Sequence, residues 1–527
     1  MSTRRSLPHL LWAFAILKTA TLLGSAAWSG FGYHRRELYH LACGERLAAG
    51  YVDLPPVVPL LARLSTELFG ASLLGTRLFP ALFAGGTVLL AGRLAIALGG
   101  GRFAAGLAGL AVGVAPGLLV RDSALCASGL ETFLWTALFV ALAERLAEPG
   151  RRSWLLPGVL LGLTLETKHS SLLFAAGLVV GWLVARPRLA PEADAEAEDG
   201  SEDGAVDRPG PEPVGRLRAG LLMAALVALP HLLWQFAHGW PSWEFAVSEY
   251  VMRSGNLSPG DFARLAVALV HPLNLPLWLA GLGALLLAPS MRSARPLLGC
   301  VFIPLVVLLV SHSDRPDRLL PAFVLLLAAG GCVFERLLRP LVLRAAAVLV
   351  VLAGGLWTAP LAVPLMPIPD LLFHAEQADV MGLSDALSSN MLLRLGWGEL
   401  AQLVDDVVED LPAEDREGLV LLAHDDGQAG ALERLTRLEP APPVYCGHNA
   451  WFDWAPTGGA GPAVAVAWPL HRLRDLYEDP VRLRVHEPQL ADPQEMWLPV
   501  YVCRTPKRAL SEAWPGMRSL WADAWLD

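Results

Sequence analysis

Apolar stretches long enough to cross a bilayer recur along most of this chain, and no other feature constrains its fold as much. A helix needs about 20 predominantly apolar residues to span the hydrocarbon layer. Windows near that length fall at about 8–29, 73–98, 103–120, 129–145, 153–166, 170–186, 218–236, 263–288, 297–311, 318–335 and 341–364. Lipid tolerates only segments that satisfy their own backbone hydrogen bonds, so these windows predict about eleven transmembrane helices. The windows stop after Pro364. The 527 residues are 54% hydrophobic and 17% charged, which fits a polytopic membrane protein with a polar C-terminal domain. A net charge of −9 argues against a nucleic-acid partner.

Arginines in the short loops set the expected orientation. With Arg4 and Arg5 inside, the inner loops hold Arg102, then Arg145, Arg151 and Arg152, then Arg186, Arg188, Arg216 and Arg218. Arg292 and Arg295 follow, then Arg336, Arg339 and Arg344. This alternation places the first loop, 31–72, and everything after 365 on the outer face. The N-terminal apolar stretch has no convincing cleavage site and reads as an uncleaved first helix rather than a signal peptide. Residues 188–215 include an acidic, Pro/Gly-rich run almost free of large apolar groups, which predicts a disordered cytoplasmic linker. Arg35, Arg36, Arg121, Lys168, Arg315 and Arg318 fall on the outer side. They either solvate loops or gather around an anionic substrate.

Residues 366–527 read as a small α/β domain. Strands are expected within 418–426, 462–468 and 497–504, and a helix over 428–438. The six cysteines show no metal-ligand spacing. Cys446 and Cys503 share this domain and either pair there or stay as buried thiols. The Gly-rich stretches at 99–102 and 425–430 are poor matches to a phosphate cradle.

The first loop concentrates the polar chemistry. Val57, Leu60, Leu61, Leu64 and Leu68 form one face of a helix expected to lie in the membrane interface behind the rigid turn Pro55-Pro56. Ionisable groups lie beside apolar spans at four outer positions: Arg36-Glu37 with His40 one turn on, Asp53, Glu131 and Lys168-His169. A charge at the bilayer centre costs about 2.5–3.5 kcal/mol, so such groups snorkel to the interface or sit in a cavity and pair. Four of them on one leaflet favour a site. Its groups suit attack on a lipid-linked phosphate sugar: Lys or Arg holds the leaving phosphate, and a carboxylate takes the acceptor proton.

At these residues the chain resembles bacterial glycosyltransferase family 39 proteins, relatives of the protein O-mannosyltransferases and of lipid A aminoarabinose and galacturonic acid transferases. The resemblance rests on ELYHLACGERLAAGYVDLPP, LLARLSTELFGASLLGTRLFPAL, LETKHSSLLF, LLWQFAHGWPSWEF, PLNLPLWLAGL, RLLPAFVLLLAAGG, DDGQAGAL and PPVYCGHNAWF. It implies a GT-C fold and an inverting sugar transfer from a polyprenyl-phosphate carrier on the outer face of a bacterial inner membrane. It implies a lipid-linked sugar donor, assigns no certain cofactor beyond it, and leaves a divalent metal open. Its partners are membrane lipids, the lipid-linked donor, and an acceptor that is a protein, lipid A or an envelope glycan.

This sequence departs from the family pattern at several positions. The family's adjacent Asp-Glu reads Arg36-Glu37, its Asp-His-Pro-Pro reads Asp53-Leu54-Pro55-Pro56, and an Asp three residues before Glu131 reads Ser128. Glu37 is then the expected catalytic base, its pKa lowered by Arg36 beside it. Arg36, His40, Asp53, Glu131, Lys168, His169, Arg315 and Arg318 are the expected substrate-binding residues. The alternative is a catalytically silent paralogue that binds lipid-linked sugar or acts as a scaffold. A secondary transporter ranks behind both, because the two halves show no paired broken spans.

Overall fold

A computed structural model of the chain describes residues 6–148, 153–185, 189–190, 212–253, 257–377, 390–456 and 461–520. Each apolar window forms helix. In chain order these are α1 (His9–Trp28), α2 (Arg35–Glu45), α3 (Val57–Phe69), α4 (Leu73–Ala97), α5 (Arg102–Gly113), α6 (Pro116–Asp122), α7 (Ala127–Ala147), α8 (Leu155–Leu165) and α9 (Ser171–Ala185). Then come α10 (Val214–Ala237), α11 (Pro241–Arg253), and further helices at Pro259–Leu269, Leu275–Leu287, Gly299–Val310, Leu320–Leu337 and Leu341–Ala362.

Among the described residues six helices are long and apolar enough to cross a membrane, or eight if each bent pair is one span. The expectation of eleven spans is thus not met by length and composition. α8 and α9 are apolar but short, and α7 carries Glu131, Glu144 and Arg145. The chain is nonetheless a multi-pass membrane protein. Leu17, Val184, Leu222, Leu287 and Leu341 expose apolar side chains on the outside of the bundle, where lipid solvates them. The bent pairs break by 65° before Pro116 and by 86° before Pro272, where proline removes a helical N–H donor. The expected linker lies outside the described residues except at its ends, where β1 (Leu189–Ala190) pairs in parallel with β2 (Glu212–Pro213) before α10 begins.

The C-terminal domain is a five-stranded sheet in the order β4-β3-β5-β7-β6. Its strands are β3 (Val420–Ala423), β4 (Val444–Cys446), β5 (Ala463–Val466), β6 (Pro480–His486) and β7 (Leu498–Cys503). The first three strands in space are parallel and the last two join antiparallel. The alternation is strict. Leu421, Ala423, Val464, Val466, Val500 and Val502 face one apolar layer, while Leu422, Ala465, Tyr501 and Cys503 face another. The second layer is closed by helices Leu470–Leu476 and Leu510–Ala513. All six cysteines are free and buried, so Cys446 and Cys503 do not pair.

The first layer joins the two parts of the molecule. Leu38, Tyr39 and Leu41 of α2 pack in one cluster with Leu400 and Val404 of helix Trp397–Glu409, with Leu432 of helix Asp426–Leu435, and with the sheet. A Cβ on Gly430 would lie 2.9 Å from the Leu38 backbone, and one on Gly427 would lie 2.5 Å from the Arg35 side chain. The Gly-rich 425–430 stretch therefore lets two helices approach closely. At the far end of α2 the Arg46 guanidinium lies 4.5 Å from the Trp454 ring centre and pairs with Glu433. First loop and C-terminal domain therefore share a face.

Candidate active site

The loop that carries the site is held rigidly. His34 caps α2: its Nδ1 accepts from the Arg36 backbone N–H, and Glu37 accepts from the His34 backbone N–H. Glu37 is fully buried and binds the Arg77 guanidinium with both oxygens, at 3.1 and 2.9 Å. It also accepts from the Leu125 N–H at 2.9 Å. Burial alone would raise the Glu37 pKa, but Arg77 holds it below the ordinary value. The expected direction holds, and the cation is Arg77 of α4 rather than Arg36. A carboxylate with this many fixed donors has no lone pair to offer a substrate, and Glu37 does not line the cavity described next. The expectation of Glu37 as base is corrected accordingly.

A cavity of about 1710 Å³ lies between the first loop, the α8–α9 turn, α11 and the C-terminal domain. Of the expected residues it is lined by Arg36, His40, Asp53, Lys168, His169, Arg315 and Arg318. Glu131 stands behind the wall. It receives Lys168 at 3.2 Å, Ser170 at 2.6 Å and Ser171 at 3.1 Å, while Lys168 also donates to Ser128 at 2.9 Å. Lys168 is thus held by one carboxylate and one hydroxyl. Burial lowers its pKa and Glu131 opposes the shift. His169 meets His231 at 3.1 Å, and burial lowers its pKa to about 4, so it is neutral.

Asp53 sits in the turn before Pro55-Pro56 and accepts from the Tyr39 hydroxyl at 2.5 Å. Burial pushes its carboxyl up to about 7, against the pull of that hydrogen bond. His40 is also buried, which lowers it to about 4. The neutral ring meets the Leu125 carbonyl at 3.0 Å through Nδ1, which fixes Nδ1–H as donor and leaves Nε2 as acceptor.

The cations differ in what they touch. Arg315 binds Asp317 at 3.0 Å and Arg318 binds Glu249 at 2.6 Å. Arg121 pairs with Asp317. Arg35 faces away from these, towards Asp426 at 3.4 Å and Asp425 at 3.5 Å. Arg36 has no ion pair among the described residues; only its backbone N–H is bound. Burial and the neighbouring Arg315 and Arg121 lower its pKa to about 10, with Asp317 opposing the shift from beyond ion-pair distance, which leaves it charged.

Sequence reasoning missed several of these groups. Arg77, between Thr76 and Leu78, and Tyr39, between Leu38 and His40, sit in no motif that marks them. Buried Glu166 closes the apolar window 153–166, yet it lines the cavity. His424, Asp425, His448, Asn449 and Trp468 line it at the carboxyl ends of the parallel strands β3, β4 and β5, where open α/β sheets bind ligands. Among the described residues no group of three or more His, Cys, Asp or Glu is arranged to hold a metal ion.

ArnT from Cupriavidus metallidurans, in a crystal structure bound to undecaprenyl phosphate, superposes with a TM-score of 0.57 at 16% identity. The match covers 94% of this chain and 97% of that one. The chain has the GT-C fold. The apo state of the same ArnT matches equally, at 16% identity and a TM-score of 0.57 over 93% and 97% of the two chains. Residues 53–192 match the family described as dolichyl-phosphate-mannose-protein mannosyltransferase. That stretch opens on Asp53 and contains Glu131, Lys168 and His169, so within this GT-C fold it spans two walls of the cavity. No curated protein matches the chain.

Proposed function

We propose that the chain is a membrane glycosyltransferase that moves a sugar from a polyprenyl-phosphate carrier to an acceptor hydroxyl, with inversion at the anomeric carbon. The observation that carries this reading is one cavity holding an unpaired guanidinium, Arg36, and a carboxyl raised to about 7, Asp53. The first suits a phosphate and the second suits a general base near neutral pH. The ArnT neighbour bound to undecaprenyl phosphate adds support for the carrier.

Asp53 is the base in this reading. Its free oxygen takes the acceptor O–H proton as that oxygen bonds to the anomeric carbon. The bond from that carbon to the phosphate oxygen breaks, and its electrons leave with the phosphate. Arg36, with Lys168 and Arg315 behind it, neutralises the charge that develops there. Tyr39 orients Asp53 by holding its other oxygen. The alternation of loop arginines supports a site on the extracytoplasmic face of a bacterial inner membrane.

One observation favours a second reading, in which the chain binds lipid-linked sugar without turnover: Arg36 stands where the resembled family has an acid. Purified protein in lipid nanodiscs, supplied with polyprenyl-phosphate sugars and an envelope extract as acceptor, separates the two. Release of polyprenyl phosphate, lost in Asp53→Asn, is the expected result. Tight donor binding with no release under any acceptor condition overturns the enzymatic reading.

A further inference from the structure

We propose that the turn Gly447–Asn449, which leaves β4, is the acceptor subsite, and that the acceptor is a carbohydrate presented through its hydroxyls. The inference rests on the glycosyltransferase reading above. His448 and Asn449 line the cavity and are only 4% and 6% exposed. Asp426 occupies one end of each side chain. The Asn449 amide nitrogen donates to its carboxylate at 3.0 Å. His448 Nδ1 lies 3.3 Å from the Asp426 backbone N–H and 3.5 Å from its carboxylate.

The other ends are His448 Nε2 and Asn449 Oδ1, and both are buried with no hydrogen-bond partner among the described residues. Their chemistry is defined. If the imidazole is neutral, Nδ1 accepts from the backbone and Nε2 carries the proton. If it is charged, both nitrogens carry one. Nε2–H is a donor in either case, and Asn449 Oδ1 is an acceptor. Buried polar groups are normally matched by protein, water or a ligand, and these two adjacent groups lie together in the cavity wall. A sugar ring supplies neighbouring hydroxyls, each able to donate and accept, and so meets both atoms together.

The turn is built to hold this pair in place. Asn449 has φ 49°, a left-handed state kept by the bond from its N–H to the Ser519 carbonyl at 2.9 Å. A Cβ on Gly447 would lie 1.9 Å from the Met517 carbonyl oxygen, so the chain passes too close there for any side chain. The turn also touches the base. The Ala450 N–H donates to the Tyr39 hydroxyl at 3.4 Å, and that hydroxyl donates to Asp53 at 2.5 Å. A hydroxyl held by His448 and Asn449 therefore belongs to a molecule lying beside Asp53. Trp240, Trp243 and Trp497 line the same cavity with indoles 47%, 72% and 65% exposed, flat apolar faces suited to the C–H face of a sugar.

Saturation-transfer NMR on the full chain in nanodiscs tests this with two probes, a methyl hexopyranoside and a Ser/Thr peptide of similar mass. The glycoside should receive saturation in the wild type and bind at least about tenfold more weakly to Asn449→Gly, which keeps the left-handed backbone state. Trp497→Ala, at an exposed side chain, should weaken it about threefold or more. His448→Gln, which returns an amide donor near Nε2, should lose less than Asn449→Gly. Equal glycoside binding by wild type and Asn449→Gly overturns the proposal, as does a peptide that binds in preference to the glycoside. Undecaprenyl phosphate bound without any glycoside binding sinks this inference alone, while failure to bind undecaprenyl phosphate sinks the underlying reading.

Discussion

The Tyr39 hydroxyl sits 2.5 Å from Asp53 Oδ1, tying the helix of the first loop to the acid of the turn that follows it. Tyr39 is buried in the cluster shared with the C-terminal domain, so it fixes Asp53, which lines the cavity, from the protein side.

Asp53→Asn should cut sugar transfer by about 10²–10⁴-fold, the usual contribution of a general base. Wild-type kcat/KM should climb about tenfold per pH unit up to about 7 and level above it, because only the ionised carboxyl accepts a proton. The variant should lack that limb. A flat wild-type profile from pH 5.5 to 7.5, or a larger loss in Glu166→Gln, would move the base elsewhere.

Stability should carry the same signature with the opposite sign. The folded Asp53 pKa lies above the ordinary 3.8, so its acid form is favoured by folding. That contribution is complete below about 4 and disappears as pH rises through about 7. Thermal unfolding of the unliganded protein between pH 5 and 8 should therefore decline more steeply in wild type than in Asp53→Asn.

Glu37→Gln should behave as a folding defect. It leaves Arg77, 3% exposed, without its counter-charge, which costs about 3–5 kcal/mol in a buried pair. Glu37→Met combined with Arg77→Met should recover much of that loss, as read by the melting temperature in detergent. A stable Glu37→Gln that has lost turnover would restore Glu37 as a catalytic residue.

Arg36→Ala should weaken undecaprenyl phosphate by about 1.5–3 kcal/mol, a lost charge-assisted hydrogen bond. Lys168→Ala should lose less, since Lys168 already satisfies Glu131 and Ser128. Native mass spectrometry of the lipid-bound protein ranks the two. The reverse order would make Lys168 the principal phosphate contact.

Lys18 and Asp122 meet at 2.7 Å between α1 and α6, exposed by only 4% and 6%. Lys18→Met should destabilise by about 3–5 kcal/mol, and Asp122→Leu added to it should restore most of the difference. Chromatographic recovery after heating distinguishes the single from the double variant.

Much of this architecture was legible in the sequence. The apolar windows located the helices because bilayer thickness sets their length, and loop arginines put the first loop and C-terminal domain on one side. The stripe Leu60, Leu64 and Leu68 of α3 does face outward, while Val58, Ala62 and Ser65 pack inward. Strand β6 was missed because Arg482, Leu483 and Arg484 are exposed and give no burial alternation. Strand β4 has only three residues. The local sequence does not show what holds Glu37, because its partner, Arg77, stands 40 residues away on another helix. Sequence placed an acid next to Arg36, whereas packing turned the two side chains to different neighbours. The free ends of His448 and Asn449 follow from where Asp426 falls in space, which no local pattern encodes.

The cluster that unites α2 with the C-terminal sheet has a consequence for biogenesis. Arg35 and Asp426 meet across 391 residues of chain. The segment bearing Tyr39 leaves the ribosome about 390 residues before the surface it packs on, and that surface has to reach the same side of the membrane. Until then Leu38, Tyr39 and Leu41 lack the core they share with the C-terminal sheet. The cavity, walled by the first loop and the C-terminal domain together, therefore closes only once both have been made.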